Sequence, residues 1–310
     1  MSAGAAWPEL PVASWEPTRD TLTLWLQVIG KIRIARTPLL NHWWNAPLYV
    51  TTRGLTTSPI PGDAGRSLAI DLDLLDHRLD VTTTRGERRS MALEPKSVKD
   101  FHAELHGLLG GVGLATEIWP VPVELPEAIP FDEDTTHHDY DPEAVTAFWR
   151  TLVEVQRVFE VFRSRFLGKS SPVHLFWGAL DLATTRFSGK GAPPHPGGMP
   201  NCGPHVMHEA YSHEVSSCGY WPGAEGEGIF YAYAYPDPDG YRDMNPGPAG
   251  ARWDDELGEF VLPYTAVRTA QDPDAVLLDF LQSTYAAAAT TAGWDRAALE
   301  RPALERPARA

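Results

Sequence analysis

NHWWNAPLYVTTRGL, residues 41–55, and VMHEAYSHEVSSCGY, residues 206–220, decide how this chain is read. Set against each other without gaps, Val50 meets Val215, Thr51 and Thr52 meet Ser216 and Ser217, and Gly54 meets Gly219. Each segment then runs to a Pro-Gly turn. Upstream of each lies a tryptophan-bearing stretch that ends near an arginine, Trp25 to Arg33 in one case and Trp177 to Arg186 in the other. Downstream of each come further strands and a closing helix, 96–109 or 274–291. Self-similarity of this kind predicts a duplicated unit. The expected fold is α+β: an antiparallel sheet-plus-helix unit present twice, the copies related by a pseudo-twofold and joined by a long central helix. The expected division is 1–140 for the first half, 141–169 for the linking helix, 170–297 for the second half and 298–310 for a disordered tail.

Periodicity fills in the elements. Thr21 to Ala35 (TLTLWLQVIGKIRIA) is rich in β-branched residues and alternates, which predicts a strand with Trp25, Gln27, Ile29, Lys31 and Arg33 on one face. Leu68 to Thr84 reads as a hairpin turning near Asp76 and His77, and Ser90 to Leu93 as a short strand. Val98, Phe101, Leu105 and Leu108 recur at helical spacing until Gly110 and Gly111 stop the run. IWPVPVEL (118–125) reads as an extended connector, since its prolines remove ladder donors. Asp141 caps a helix over 142–167 with Pro142 at its first position, and Val145, Phe148, Leu152, Val155 and Phe159 form its apolar stripe. GIFYAYAY and EFVLPY read as strands, and Asp274 to Thr291 as a second long helix.

The formal net charge of −15 argues against a nucleic-acid partner. The first residues lack a signal-peptide pattern, and no apolar run approaches the roughly 18 residues that span a bilayer, so a cytoplasmic location is expected. Cys202 and Cys218 form no metal-binding pair and are expected as free thiols. GxSxG, P-loop, Rossmann and HExxH patterns are all missing.

Chemistry concentrates in residues 171–223, which hold SPVHLFWGALDLATTRFSG and HEAYSHEVSSCGYWPG. His213 occupies the slot of the apolar Leu48, so it is expected to point inward and to need a partner for its ring nitrogens. On one continuous strand His208 and His213 would lie about 16 Å apart, at roughly 3.3 Å per residue, and could not share an ion. A shared site needs His208 and Glu209 to fold back, or His174 to join from a neighbouring strand. Two histidines and a carboxylate suit zinc or non-haem iron. A buried His213 bonded to a carboxylate or carbonyl fits the same residues, as does a metal-free base. Lys31, Arg33 and Arg186 read either as surface charge or as a clamp for an anionic ligand. His42 and Trp43 of NHWW, with Trp177, could stack a ligand ring or belong to the core. The acids of FDED (131–134) read as a solvated loop or as glycosidase-like carboxylates.

NHWW, RGLTTSPIP, IPFDED, SPVHLFWGALDLATTRFSG and EAYSHEV, in this order, resemble a bacterial domain-of-unknown-function family of about three hundred residues, matched from Trp7 to Glu300. The resemblance implies inheritance as one unit and supplies no activity and no catalytic residues. Three expectations follow from the residues themselves. The first is a metalloenzyme, hydrolytic or oxidative, with zinc or iron held by His213 together with His174, His208 or Glu209. In it Glu214 or Asp181 serves as general base, and Lys31, Arg33 and Arg186 orient a small polar or anionic substrate. The second is a metal-free small-molecule-binding protein with an aromatic cleft lined by arginine and lysine. The third is a haem held by one histidine. The pocket is expected between the halves, with Lys31 or Arg33 on one side and His174 or His213 on the other.

Overall fold

The computed structural model describes residues 7–63, 65–223 and 226–302, and its α+β architecture rests on two antiparallel sheets. The first sheet holds β1 (Tyr49–Val50), β2 (Gly54–Thr56), β3 (Ile60–Pro61), β4 (Ser67–Asp73), β5 (Arg78–Thr83) and β6 (Arg88–Ala92). Its order is β1-β2-β4-β5-β6, with β3 also on β4. The second holds β7 (His174–Phe176), β8 (Asp181–Gly191), β9 (His213–Trp221), β10 (Ile229–Tyr235), β11 (Arg252–Asp254) and β12 (Glu259–Pro263), in the order β11-β12-β10-β9-β8-β7. Leu48 and Leu175 exchange both backbone hydrogen bonds, at 2.9 and 2.8 Å, and so join the β1 edge of one sheet to the β7 edge of the other.

The first helix corrects the sequence reading. Residues 21–35 are not a strand but part of α1 (Val12–Arg36). Alternation misled because Thr21, Leu22, Leu24, Trp25, Leu26, Gln27, Val28, Ile29, Lys31, Ile32 and Arg33 are all buried, odd and even positions alike. A helix enclosed on every side shows no 3.6-residue stripe. Trp25 lies deep in the core, stacked 4.6 Å from Phe101.

The other long helices follow their patterns. They are α2 (Val98–Gly111), capped by Ser97, and α3 (Pro142–Ser164), capped by Asp141. After α4 (Pro204–Ala210) and α5 (Tyr264–Arg268) comes α6 (Pro273–Thr291), capped by Asp272, and then α7 (Arg296–Leu299). Residues 299–301, placed in the tail by composition, pair with the end of α3 through Leu167 N to Leu299 O and Arg301 N to Arg165 O. Residues 303–310 of that expected tail lie outside the described residues.

The matched segments diverge in their elements. Residues 41–55 form a 3-10 turn (Asn41–Trp43) and then two short strands, whereas 206–220 run from α4 into the single strand β9. Upstream, a helix at Trp25–Arg33 stands against strands at Trp177–Arg186. The aligned glycines are needed for different reasons. A Cβ at Gly54 would sit 1.9 Å from the Leu72 carbonyl oxygen, while one at Gly219 would sit 2.3 Å from the ring of Tyr231, its cross-strand neighbour. The second glycine lets a tyrosine lie flat across the sheet.

Strand parity then sorts the second sheet into two faces. Leu182, Thr184, Arg186, Cys218, Tyr220, Phe230 and Ala232 are buried on the face packed by α3 and α6. Asp181, Ala183, Thr185 and Phe187 share the opposite face with Val215, Ser217, Tyr231 and Tyr233.

Candidate functional site

That opposite face is the floor of a cavity of about 910 Å³, within the range of small-molecule sites. The end of α1, the NHWW turn, the connector 117–124 and the segment 199–211 with α4 wall it in. Trp119, Met199 and Leu257 line it and are also solvent-exposed, which puts apolar side chains at its entrance.

The polar residues of α1 hold the connector in place. Gln27 acts like a neighbouring strand: its Oε1 accepts from Val123 N at 2.9 Å and its Nε2 donates to Val123 O at 3.0 Å. Lys31 lines the cavity, but its Nζ donates to the carbonyls of Trp119 and Val121 at 3.2 and 2.5 Å. Burial brings the Lys31 pKa down to about 8. The connector in turn delivers Glu124, whose Oε1 would lie 2.0 Å from any Cβ added at Gly178.

Glu124 is one of four acids that line the cavity, with Glu117, Asp181 and Glu259. Burial pushes Glu124 up to about 7, with the nearby charge of Asp181 adding to the effect. Asp181, at the start of β8, is pushed up to about 6 by burial and partly restored by a hydrogen bond from the Tyr231 hydroxyl. Burial and Asp181 together raise Glu259 of β12 to about 7. These carboxyls are costly to ionise in an apolar surround and sensitive to one another's charge. Beside them the Tyr211 and Tyr233 hydroxyls are 2.8 Å apart, and burial raises both phenol pKa values, Tyr211 to about 12.

The residues singled out by sequence divide. Lys31, His42, Trp43, His174, Trp177 and Asp181 line the cavity. Trp43 and Trp177 are fixed there by Nε1 hydrogen bonds to the Val206 and Ala46 carbonyls, at 3.0 and 2.9 Å. His42 is held by its surroundings: Nδ1 faces the Glu209 and Ala210 carbonyls at 3.3 and 3.2 Å, and Nε2 faces Lys169 Nζ at 2.7 Å. Two carbonyl acceptors at Nδ1 place the proton there, leaving Nε2 to accept from the ammonium.

Arg33 and Arg186 do not form a clamp. Arg33 lies 5.3 Å from the Tyr49 ring. Arg186 is on the core face, donating to Phe162 O, with its guanidinium 3.5 Å from the Phe162 ring and 4.3 Å from that of Tyr285. The residues expected to hold a metal have other surroundings. His174 is buried without a partner at Nδ1, and burial, helped by Arg33 and Arg163, lowers its pKa to about 3. Glu209 accepts from the His42 backbone N–H at 2.9 Å, and His213 meets Ser212 Oγ at 3.1 Å outside the cavity lining. His208, on the last turn of α4, also lies outside that lining, and Glu214 approaches Lys190 at 3.9 Å. Among the described residues no group of three or more His, Cys, Asp and Glu side chains is arranged to hold a metal ion. In FDED, Asp134 is buried as a turn former, accepting from Thr136 N at 2.9 Å and His137 Nδ1 at 2.7 Å.

Sequence reasoning did not find Glu124, Glu259, Tyr211, Tyr231 and Tyr233. The YAYAY alternation of β10 was the available signal for the last two, because it puts Tyr231 and Tyr233 on one face.

The site therefore defines an α+β protein with an aromatic, acid-bearing cavity over an antiparallel sheet. The chain belongs to DUF5996, a family of unknown function, whose model matches residues 7–301. No curated protein and no solved structure matches it. Among the described residues no helix is long and apolar enough to cross a membrane.

Proposed function

We propose that this protein binds a small, largely apolar organic molecule in the cavity above β8, β9 and β10. The observation that carries the reading is a space of about 910 Å³ with a mainly apolar lining, rich in tryptophan and tyrosine, into which a few polar groups converge. Binding sites of small molecules combine these two properties, apolar area for affinity and sparse polar groups for orientation. Relative to a cleft lined by arginine and lysine, the polar groups here are carboxyls and phenols.

The test uses the neutral fluorophore N-phenylnaphthylamine, whose emission rises in an apolar site. Saturable enhancement is expected for the wild-type chain. Ala210→Trp, which projects an indole into the cavity from its α4 wall, should weaken binding by about tenfold or more, equivalent to about 1.4 kcal/mol, with an unchanged melting temperature. Equal binding by both proteins removes the cavity as the site.

One observation favours a catalytic use of the same pocket. Asp181 is half-buried, accepts a hydrogen bond from the Tyr231 hydroxyl and has its pKa pushed up to about 6 by burial, which suits a general base. If the bound molecule is turned over, kcat should rise with pH through about 6 and Asp181→Asn should remove that rise.

A further inference from the structure

Four carboxyls, those of Glu117, Glu124, Asp181 and Glu259, line the cavity against a single ammonium, that of Lys31. That ammonium is already engaged by two backbone carbonyls and lies 4.5 Å from the Trp119 ring. The arginines that would answer an anionic ligand are directed elsewhere, Arg33 to Tyr49 and Arg186 into the core. Asp181 receives one phenolic hydroxyl, while burial and neighbouring acids set the state of Glu124 and Glu259 with no compensating cation. Around these carboxyls stand aromatic rings, among them Trp177, Trp221, Tyr231 and Tyr233. Ring faces carry a negative quadrupole that attracts cations and repels anions. The same fold already seats cations on rings, with Arg186 over Phe162 and Lys169 4.9 Å from Phe187.

Resting on the pocket reading above, we propose that the ligand is an organic cation, a protonated or quaternary amine. Its nitrogen sits among Asp181, Glu124 and Glu259, and its apolar body lies against the tryptophan and tyrosine walls. A bare metal ion does not suit the site, since no cluster of three or more ligating groups forms among the described residues. An anion would meet carboxyls and ring faces together. An amine supplies the missing positive charge and covers the apolar surface at once.

Three probes of similar shape separate the possibilities: phenylpropyl-trimethylammonium, its tert-butyl isostere with carbon in place of nitrogen, and phenylbutyrate. Titration calorimetry at mildly alkaline pH, where the carboxyls are ionised, should give the ammonium about tenfold or more tighter binding than the isostere, with the carboxylate weakest. In the double variant Asp181→Asn, Glu259→Gln the ratio between ammonium and isostere should fall toward one. Equal binding of ammonium and isostere, or tighter binding of the carboxylate, overturns the charge preference and leaves the pocket reading standing. Failure of all three probes to bind overturns both.

Discussion

Asp80 and Asp181 both lie on central-to-edge strands of antiparallel sheets, and both are poorly accessible, yet the protein treats them in opposite ways. Asp80 accepts from Arg78 Nε at 3.1 Å, Arg88 Nη2 at 2.6 Å and Ser90 Oγ at 2.5 Å. Burial alone would push its carboxyl up, but the hydrogen bonds from Arg88, Ser90 and Arg78 outweigh it and hold the group below the usual carboxylate range. Asp73 is treated likewise by Arg53 and by the backbone of Asp76 and Leu75. At the second sheet Asp181 has one phenol, while Glu259 of β12 and Glu124 of the connector gain only burial and the repulsion of nearby acids, Asp181 first. The first sheet satisfies its acids, whereas the second leaves them for something else to satisfy. An unsatisfied acid lowers stability, so its retention beside a cavity reads as a functional feature.

The contrast breaks most easily at Asp80. Asp80→Ala removes the hydrogen bonds that Arg78, Arg88 and Ser90 donate to it and should cost about 2–3 kcal/mol, measured by denaturant unfolding. A loss well under 1 kcal/mol, of order the value for exposed pairs, would mean that the network is only surface decoration.

Asp181→Asn should act in the other direction, and its effect should depend on pH. An acid whose folded pKa is raised contributes stability at low pH that is lost as pH rises from the ordinary value near 4 through about 6. Asparagine has no such loss and can still accept from Tyr231. The variant should therefore gain on the order of 2 kcal/mol relative to wild type between mildly acidic and mildly alkaline pH. Buried neutral His174 has the opposite sign: its lowered pKa removes stability as pH falls below the ordinary histidine range toward 3. Only the difference between variant and wild type isolates Asp181. For Asp80→Asn the corresponding difference should appear below the ordinary carboxylate range and stay flat from neutral to alkaline pH. Matching pH profiles for the two variants would erase the distinction between the sheets.

The smallest effect is expected at His213. It lies outside the cavity lining, edge-on and 5.5 Å from the His42 ring. His213→Leu should change N-phenylnaphthylamine affinity by less than about twofold, well under 1 kcal/mol. A loss of tenfold would extend the site past His42.

Much of this arrangement was legible in the chain. The stripes of α2 and α3 face one core each and so keep their period, and the 68–84 hairpin alternates because one of its faces is buried. Helix α1 erased its own signal by being buried all round. Asp181 was found, and the alternation of β8 already separated it from Arg186, since residues of opposite parity cannot share a face. Glu124 left no trace, because a proline-rich connector has no period and its inward turn depends on Gln27, which holds the neighbouring Val123 from 96 residues away in the packed helix. Glu259 was hidden inside an ordinary short strand whose neighbours, not its own pattern, bring it to the cavity.

The Leu48–Leu175 pair has a consequence for association between chains. By closing β1 on β7 it makes one ribbon of two sheets, whose outermost strands are β6 and β11. Bare strand edges template the pairing of a second molecule, and charged side chains discourage it. Strand β6 carries Arg88 and Arg89, and β11 carries Arg252 and Asp254, so the ends of the ribbon are guarded. The inner edges bear no such guard: Leu48 and Leu175 are both fully buried. A chain cut between the sheets would expose them, and the fragments should clump rather than persist as independent halves.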